Sequence, residues 1–267
     1  MSASFPELTQ AGAIEFLGKT EPQALLLDEW YVLASGEHFW LEWRLRVTLR
    51  LLRSLGIPIE TGLRALEVGC GTGTLRDQLE AHTRWTVDGT DLHVEGLRRA
   101  RPARGRTLCY DITERHAVFK AAYDLIILFD VLEHVEATGQ FVDALLWHLR
   151  PGGYLLVNVP AIPALFSAYD VAVGHFRRYV PSSLRAEFGG EIEVLEIRYW
   201  GLSLVPLLWI RKQILGGEPD TRTIHTGFRP PGALAHAILR GLMRVELALV
   251  TSPRLGTSLL LAGRKRQ

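Results

Sequence analysis

Between residues 64 and 160, short apolar runs alternate with stretches whose apolar residues recur at helical spacing. The apolar runs predict strands, and the amphipathic stretches predict helices. The strands fall at 64–68, 85–90, 106–110, 123–129 and 154–159, and the helices at 74–82, 93–101 and 139–150. The run from Leu125 to Phe129 is apolar at every position, which is typical of strands covered on both faces. The pattern therefore predicts a mostly parallel sheet between two layers of helices.

Both flanks add elements to this alternating core. Residues 37–55 read as a helix with aromatic and aliphatic residues on one face and Arg44, Arg46, Arg50 and Arg53 largely on the other. Strands at 191–199 and 257–262 bring the predicted sheet to seven strands. They bracket two helical patterns, at 202–215 and 232–250.

The helix predicted at 232–250 is apolar around most of its circumference. His236, Arg240 and Arg244 form one narrow polar stripe on it. A helix this apolar is normally buried in its own fold, and this is the expectation here. A dimer interface and a lipid-facing cap are the alternatives for residues 202–250.

Composition is that of a globular protein: 48% of the 267 residues are hydrophobic, 22% are charged, and the net charge is +1. The region from Arg198 to Arg254 is locally basic, which suits an anionic acceptor, a membrane surface or a solvated face. Two cysteines, no signal-like start and no apolar run of about 20 residues predict a cytosolic protein, at most peripheral to a membrane.

The most informative segment is the strand at 64–68 and the turn that follows it, with glycines at positions 69, 71 and 73. Alternate glycines let the backbone turn sharply and let a ligand approach the main chain. Asp91 lies 22 positions after Gly69. In doubly wound folds, an acidic residue at about this distance hydrogen-bonds a ribose hydroxyl. Thr74 occupies the place of the last glycine of a dinucleotide motif, and Glu67 does not suit a pyrophosphate. These departures favour a nucleoside ligand without phosphates, S-adenosylmethionine.

Five segments in order resemble the motifs of the class I S-adenosylmethionine-dependent methyltransferases, and the resemblance covers residues 64–160. They are residues 67–73 (Glu-x-Gly-x-Gly-x-Gly), 89–92, 111–112, 130–135 and 149–153 (Leu-x-Pro-Gly-Gly). The resemblance implies a Rossmann-like class I methyltransferase fold. Its implied parts are an N-terminal helical cap (1–62), a cofactor-binding core (63–200), a helical acceptor-side insertion (201–256), and the last strand with a tail (257–267).

The resemblance also implies which residues hold the cofactor and its product, S-adenosylhomocysteine. Asp91 is expected to accept the ribose hydroxyls, and Asp111 is expected to lie near the adenine amine. The full predicted set is Glu67, Gly69, Cys70, Gly71, Gly73, Asp91, Leu92, Asp111, Ile112, Phe129 and Asp130.

Beyond residue 160 the chain resembles a bacterial subgroup with an aromatic segment like residues 37–40 and a Gly-His-x-Arg-Arg-Tyr segment, here 174–179. His134 and His175 are the candidate bases, since imidazole titrates near neutral pH, although a scaffold role for His134 is equally open. Arg178 can clamp an anionic acceptor or pair with an acid of its own protein, and Tyr179 completes the candidate catalytic set.

Asp130, Glu133, His134 and His175 carry groups that can also ligate a divalent ion. Contact of Asp130 with the cofactor is the simpler explanation, so the predicted site contains no metal.

The leading functional hypothesis is methyl transfer to O, N or C of a small-molecule or lipid-linked acceptor. The alternatives are a non-catalytic binding or assembly protein, a protein or RNA methyltransferase, and a nicotinamide enzyme. Residues 130–133 do not have the Asn/Asp-Pro-Pro-Tyr/Phe sequence common in enzymes that methylate bases, and no lysine-rich arm is visible. A nucleic-acid partner is therefore not expected.

Overall fold

The computed structural model describes residues 13–20, 38–214 and 232–267, and its strands form one eight-stranded sheet. The strands are β1 (Ile14–Phe16), β2 (Arg64–Val68), β3 (Thr86–Asp91), β4 (Thr107–Cys109), β5 (Tyr123–Phe129), β6 (Leu149–Pro160), β7 (Ile192–Trp200) and β8 (Ser258–Lys265). Their order in the sheet is β1-β4-β3-β2-β5-β6-β8-β7. All pairs from β1 to β6 are parallel, and β8 runs antiparallel between β6 and β7.

The seven predicted strands are all present, and β1 is an eighth that the pattern did not predict. It lies inside the region expected to be a helical cap, and it pairs in parallel with β4, Ile14 opposite Thr107. Three residues are too few to show a periodic pattern, so the sequence does not predict this strand. The hydrogen bonds that stabilise β1 come from its partner, β4. The region 1–62 is thus not wholly helical; its residues 1–12 and 21–37 lie outside the described part of the chain.

Helices cover both faces of the sheet, as the buried strands require. They are α1 (Phe39–Ser54), α2 (Thr74–His82), α3 (Val94–Arg98), α4 (Thr138–His148), α5 (Ala168–Ala172), α6 (Pro181–Glu187), α7 (Val205–Ile214) and α8 (Ala233–Leu249). On one face, Trp43 of α1 and Leu79 of α2 pack with Leu260 of β8. On the other, Leu145 of α4 and Leu184 of α6 pack with strand residues. The predicted architecture, a mostly parallel sheet between two layers of helices, is confirmed.

The connections between the strands determine where a ligand can bind. After β2 the chain moves to one side of the sheet through β3 and β4, and it then crosses back to form β5 and β6 on the other side. Ligands of open parallel sheets bind at the carboxyl ends of the strands where the order reverses, here between β2 and β5. The predicted motifs directly follow these strands.

Helix α8 is largely exposed, which contradicts the expectation that its fold buries it. Within the described part of the chain, Met243 and Glu246 are its only buried residues. Glu246 accepts hydrogen bonds from the backbone N–H groups of Gly201, Leu202 and Ser203, which fixes α8 to the end of β7. The exposed apolar residues of α8 are Leu234, Ile238, Leu242, Val245 and Leu249. None of the described helices is long and apolar enough to cross a bilayer.

Candidate active site

The turn after β2 adopts a backbone that requires its glycines. Gly69, Gly71 and Gly73 have φ angles of 73°, 53° and 72°, in the left-handed region. The N–H groups of Gly69 and Cys70 both donate to the carbonyl of Thr90, at 2.8 and 3.0 Å. A Cβ at position 69 would stand 2.4 Å from Val131 Cγ2. The glycine spacing therefore reflects this turn and its close approach to the neighbouring loop.

Asp91 ties the glycine turn to the end of β3. Its Oδ2 accepts the N–H of Gly71 at 2.7 Å, and its Oδ1 accepts the N–H of His93 at 2.9 Å. Burial raises the pKa of this carboxyl, and these hydrogen bonds partly offset the effect. The structure thus places Asp91 directly beside the turn, with Leu92 half-buried next to it.

Glu67 is a buried acid at the end of β2, with a side chain that is not fully satisfied. It is 4% exposed, and its Oε2 has no hydrogen-bond partner among the described residues. Burial raises the pKa of Glu67 to about 8, although the charges of Arg44 and Arg76 oppose the shift. The thiol of Cys70 is also buried, which raises its pKa and keeps it neutral. An incompletely satisfied buried carboxyl is costly unless a ligand completes its hydrogen bonds.

Arg44 of α1 reaches this region, contrary to its predicted place on the polar face of the helix. It is 8% exposed and forms an ion pair with Asp130. Its guanidinium lies 4.9 Å from the ring centre of Trp40 and 5.3 Å from that of Phe129. Its Nε is buried without an acceptor among the described residues. The spacing offered a signal, since residues four apart share a helix face and Trp40 is apolar.

Asp130 lies directly after β5 in a conformation that side chains rarely adopt, with a φ of 57°. Arg44 holds one carboxylate oxygen, and the amide of Asn158 donates to the other at 2.7 Å. The indole N–H of Trp200 in turn donates to Asn158 at 2.9 Å. Burial raises the pKa of Asp130, and Arg44 and Asn158 oppose the rise. Sequence reasoning missed Asn158, although it is the only polar residue in the apolar run 155–159.

The unsatisfied groups at this edge match the two ends of an amino acid. Among the described residues, Arg44 Nε has no acceptor and Glu67 Oε2 has no donor. A carboxylate and an ammonium group supply these partners, and S-adenosylmethionine carries both on its methionine part. The carboxylate of Asp91 is suited to the ribose hydroxyls. The residues present therefore fit this cofactor.

Asp111 follows β4, and the N-terminal segment lies against it. Its Oδ1 accepts the N–H and the hydroxyl of Thr113, and its Oδ2 lies 3.3 Å from the hydroxyl of Thr20. Glu114 accepts the backbone N–H groups of Lys19 and Thr20. Ile112 is buried in the core. Asp111, predicted to lie near the adenine amine, thus lies against Thr20, a contact that the sequence did not indicate.

In the loops that follow β5 and β6, His134 and His175 come together, with ring centres 4.7 Å apart. Asp170 is fully buried. Its Oδ1 accepts hydrogen bonds from Nδ1 of His175 at 2.9 Å and from Nε of Arg178 at 2.8 Å. Burial raises the pKa of Asp170, but the hydrogen bond to His175 and the charge of Arg178 outweigh this effect and lower the pKa to about 2. Sequence reasoning missed Asp170. Its position three residues after Ser167, a capping-box spacing, was the available signal.

Arg178 and Tyr179 face the protein rather than an open pocket. Arg178 pairs with Asp170 and donates to the carbonyl of Ala161 at 3.2 Å. The hydroxyl of Tyr179, in a buried side chain, lies 3.4 Å from the carbonyl of Leu132. Of the two alternatives for Arg178, this geometry matches pairing with an acid of its own protein.

Glu133 lies beside these histidines, and it is 1% exposed. Its Oε1 lies 3.9 Å from His175 Nε2, and its Oε2 has no partner among the described residues. Burial and the nearby charge of Asp130 raise the pKa of Glu133 well above its usual range. Burial, followed by the charge of His175, lowers the pKa of His134 to about 4. His134 is therefore neutral at pH 7.

Comparison with known proteins assigns the chain to a family. A family model for a methyltransferase domain matches residues 39–191. A ubiquinone biosynthesis O-methyltransferase of Burkholderia lata is 33% identical over 103 residues, which are 36% of this chain and 44% of that protein. The corresponding enzyme of Photorhabdus laumondii is 34% identical over 120 residues, 43% of this chain and 48% of that protein. The alignments thus span less than half the length of these curated relatives.

Solved structures with low sequence identity share the fold. Phosphoethanolamine N-methyltransferase 2 of Haemonchus contortus, in complex with S-adenosyl-L-methionine, is 21% identical with a TM-score of 0.54. That match covers 83% of this chain and 52% of the other.

Proposed function

Because the chain belongs to the class I S-adenosylmethionine-dependent methyltransferases, we propose that it methylates a hydroxyl oxygen of a small-molecule acceptor. The observation that carries this proposal is the meeting of two sets of groups at one sheet edge. Glu67, Asp91 and Asp130 suit the cofactor, and His134 and His175 lie beside them on the acceptor side. The names of the curated relatives, which are O-methyltransferases, support oxygen as the atom that is methylated.

On the cofactor side, each residue has a role that its contacts support. The glycine turn gives the ligand access to the main chain, and Asp91 holds both the turn and the ribose hydroxyls. Arg44 and Glu67 bind the carboxylate and ammonium ends of the methionine part. When bound, S-adenosylmethionine supplies an already activated methyl group, so positioning accounts for most of the acceleration. Cys70, Leu92, Ile112 and Phe129 shape the pocket, and Asp111 lies on its adenine side.

On the acceptor side, His134 and His175 receive the hydroxyl that is methylated. The new C–O bond forms as the S–C bond breaks, and the hydroxyl proton leaves toward this pair. Asp170 binds Nδ1 of His175, and Arg178 pairs with Asp170. Tyr179 is buried nearby, with its hydroxyl 3.4 Å from the carbonyl of Leu132. Arg178 and Tyr179 therefore act as positioning residues.

The surface beside this loop favours an apolar or lipid-linked acceptor. The guanidinium of Arg211 in α7 lies 4.2 Å from the ring centre of Tyr169, next to Asp170. On the same helix, Trp209 and Ile210 are half or more exposed. We propose that the protein acts in the cytosol and that the region 202–250 contacts a membrane or a second copy of the chain.

A labelled-methyl transfer screen tests the proposal. Purified protein is incubated with methyl-labelled S-adenosylmethionine and separate sets of phenols, sugars, carboxylates, amines and polyprenyl-linked extracts. We expect label in a hydroxyl-bearing acceptor, and loss of turnover with retained cofactor affinity in His175→Ala. Label found only in amines would contradict oxygen methylation. Cofactor binding with no transfer to any set would favour the non-catalytic alternative.

A further inference from the structure

A second pocket opens to solvent where α1, the end of β7 and the end of α8 meet. Its walls come from α1 (Trp43, Val47 and Arg50), from β7 (residues 198–200) and from α8 (Leu247). None of the residues assigned above to the cofactor or to the acceptor lines it. The pocket encloses about 270 Å³ including its opening, which is the liquid volume of about nine water molecules. It therefore has room for a small ligand.

The pocket has an apolar end and a cationic end. The buried indole rings of Trp43 and Trp200 lie 5.9 Å apart. Arg50 follows Trp43 by two helical turns, about 10 Å along α1, and Arg198 precedes Trp200 by two residues on the same side of β7. Helix α1 runs antiparallel to β7, because its first turns lie beside Asp130 at the carboxyl ends of the strands and its end leads into the start of β2. Both arginines are therefore displaced from the indoles in the same direction.

The cationic end has donors to spare. Within the described part of the chain, the partly buried Arg50 forms no ion pair and no hydrogen bond. Arg198 donates to Glu196 through Nε and Nη2, and its Nη1 has no acceptor among the described residues. Glu246 also lines the pocket, but both of its oxygens already accept hydrogen bonds from residues 201–203. The uncompensated charge at this end is thus that of Arg50.

Trp43 supplies an independent observation. Its side chain is fully buried, and its indole N–H has no acceptor among the described residues. The indole N–H of Trp200, by contrast, donates to Asn158 at 2.9 Å. A buried donor without an acceptor is costly. An oxygen atom of a bound molecule would supply the partner that Trp43 lacks.

We propose that this pocket binds a small organic anion, with its carboxylate or phosphate group at Arg50 and Arg198 and its aromatic or short aliphatic body on the indoles of Trp43 and Trp200. Guanidinium groups bind both kinds of acid through charge-assisted hydrogen bonds, and indole rings supply a large apolar contact area. The volume lies below that of drug-sized sites, so the ligand has about ten non-hydrogen atoms. The site is separate from the residues of the proposed function and does not depend on methyl transfer.

Calorimetric titration of the full chain in a phosphate-free buffer measures binding, with phenylacetate and its neutral isostere phenylacetamide as probes. We expect phenylacetate to bind with a Kd of roughly 0.1–1 mM, and phenylacetamide at least tenfold more weakly. Phenyl phosphate should bind at least tenfold more tightly than inorganic phosphate, because only the former reaches the indoles. Arg50→Gln should weaken phenylacetate binding at least tenfold. Arg53 is exposed on the same helix outside the pocket, so Arg53→Gln should bind like the original chain.

The same samples are titrated with S-adenosylhomocysteine, which separates this proposal from the proposed function. Weakened phenylacetate binding in Arg50→Gln, with unchanged S-adenosylhomocysteine affinity and thermal unfolding, supports the anion site and excludes misfolding. The proposal is overturned if neither phenylacetate nor phenyl phosphate binds, if acid and amide bind equally, or if Arg50→Gln binds phenylacetate like the original chain. Loss of phenylacetate binding at saturating S-adenosylhomocysteine would place the probe in the cofactor site and also overturn it. A chain that binds phenylacetate but not S-adenosylhomocysteine would instead contradict the cofactor assignment.

Discussion

The raised pKa of Glu67 predicts that the affinity for S-adenosylmethionine depends on pH. The buried carboxyl has a pKa of about 8 in the free protein, so most molecules carry it protonated at pH 6. A cationic ligand beside Glu67 favours the ionised form, and binding therefore releases a proton. Affinity should rise with pH toward 8, and the variant Glu67→Gln should lose this dependence.

The size of the effect follows from the protonation equilibrium. With a pKa of about 8, about 1% of Glu67 is ionised at pH 6 and about half at pH 8. If only the ionised form binds, the association constant rises about 50-fold between these pH values. The native pKa lies above the unfolded value, so the native state binds more protons in this range. The free protein should accordingly lose stability as the pH rises from about 4.5 toward 8, and Glu67→Gln should remove that loss.

Calorimetric titration with S-adenosylmethionine at half-unit pH steps measures the effect. Two buffers with different ionisation enthalpies report the released proton directly. Glu60, whose side chain is 79% exposed, provides the control variant Glu60→Gln, which should behave like the original chain. An affinity that stays constant between pH 6 and 8, or a pH dependence that persists in Glu67→Gln, would show that ionisation of Glu67 does not govern cofactor binding.

Three further substitutions test the supports of the site. Arg44→Met leaves Asp130 without its cation, so the free energy of unfolding should fall by about 2 kcal/mol and S-adenosylhomocysteine binding should weaken about tenfold; unchanged affinity would remove Arg44 from the cofactor site. Gly69→Ala places a Cβ 2.4 Å from Val131 at a φ of 73°, so thermal unfolding should occur several degrees lower, whereas Gly139→Ala, with open space around it, should not lower it. Asp170→Asn should lower the free energy of unfolding by about 2 kcal/mol at pH 7, because folding lowers the pKa of Asp170 from 3.8 to about 2. In denaturant titrations, the difference between the variant and the original chain should shrink as the pH falls from about 4 through 2. A difference that stays constant with pH would contradict the ionic role of Asp170.

The part of the fold that the sequence predicts well is the part whose pattern is local. The run from Leu125 to Phe129 is apolar at every position, and it forms β5 in the middle of the sheet. Thr74 to His82 form α2 with the predicted bounds. The glycine turn was predictable for a related reason, since the left-handed conformations of Gly69, Gly71 and Gly73 restrict the residue type.

The features that sequence reasoning missed depend on contacts between distant segments. Strand β1 is stabilised by β4, some ninety residues later in the chain. Arg44 is one of four arginines on its helix, and its burial depends on an ion pair with Asp130, which is distant in sequence. Asp170 became a candidate only when the fold placed it beside both His175 and Arg178.

Helix α8 shows the limit of composition as a guide to burial. Its apolar surface predicted a core helix, yet of its apolar residues only Met243 is buried in the described core, and Leu239 and Leu247 pack against that core partly buried. Apolar periodicity indicates which face avoids water, but it does not identify what covers that face.

The most direct test of the cofactor assignment is a calorimetric titration of the original chain and of Asp91→Ala with S-adenosylhomocysteine. Asp91 supports the glycine turn and is assigned to the ribose hydroxyls, so its loss removes both contributions at once. We expect one equivalent to bind to the original chain and at least 100-fold weaker binding by Asp91→Ala. No binding by the original chain, or equal affinity in the two proteins, would contradict it.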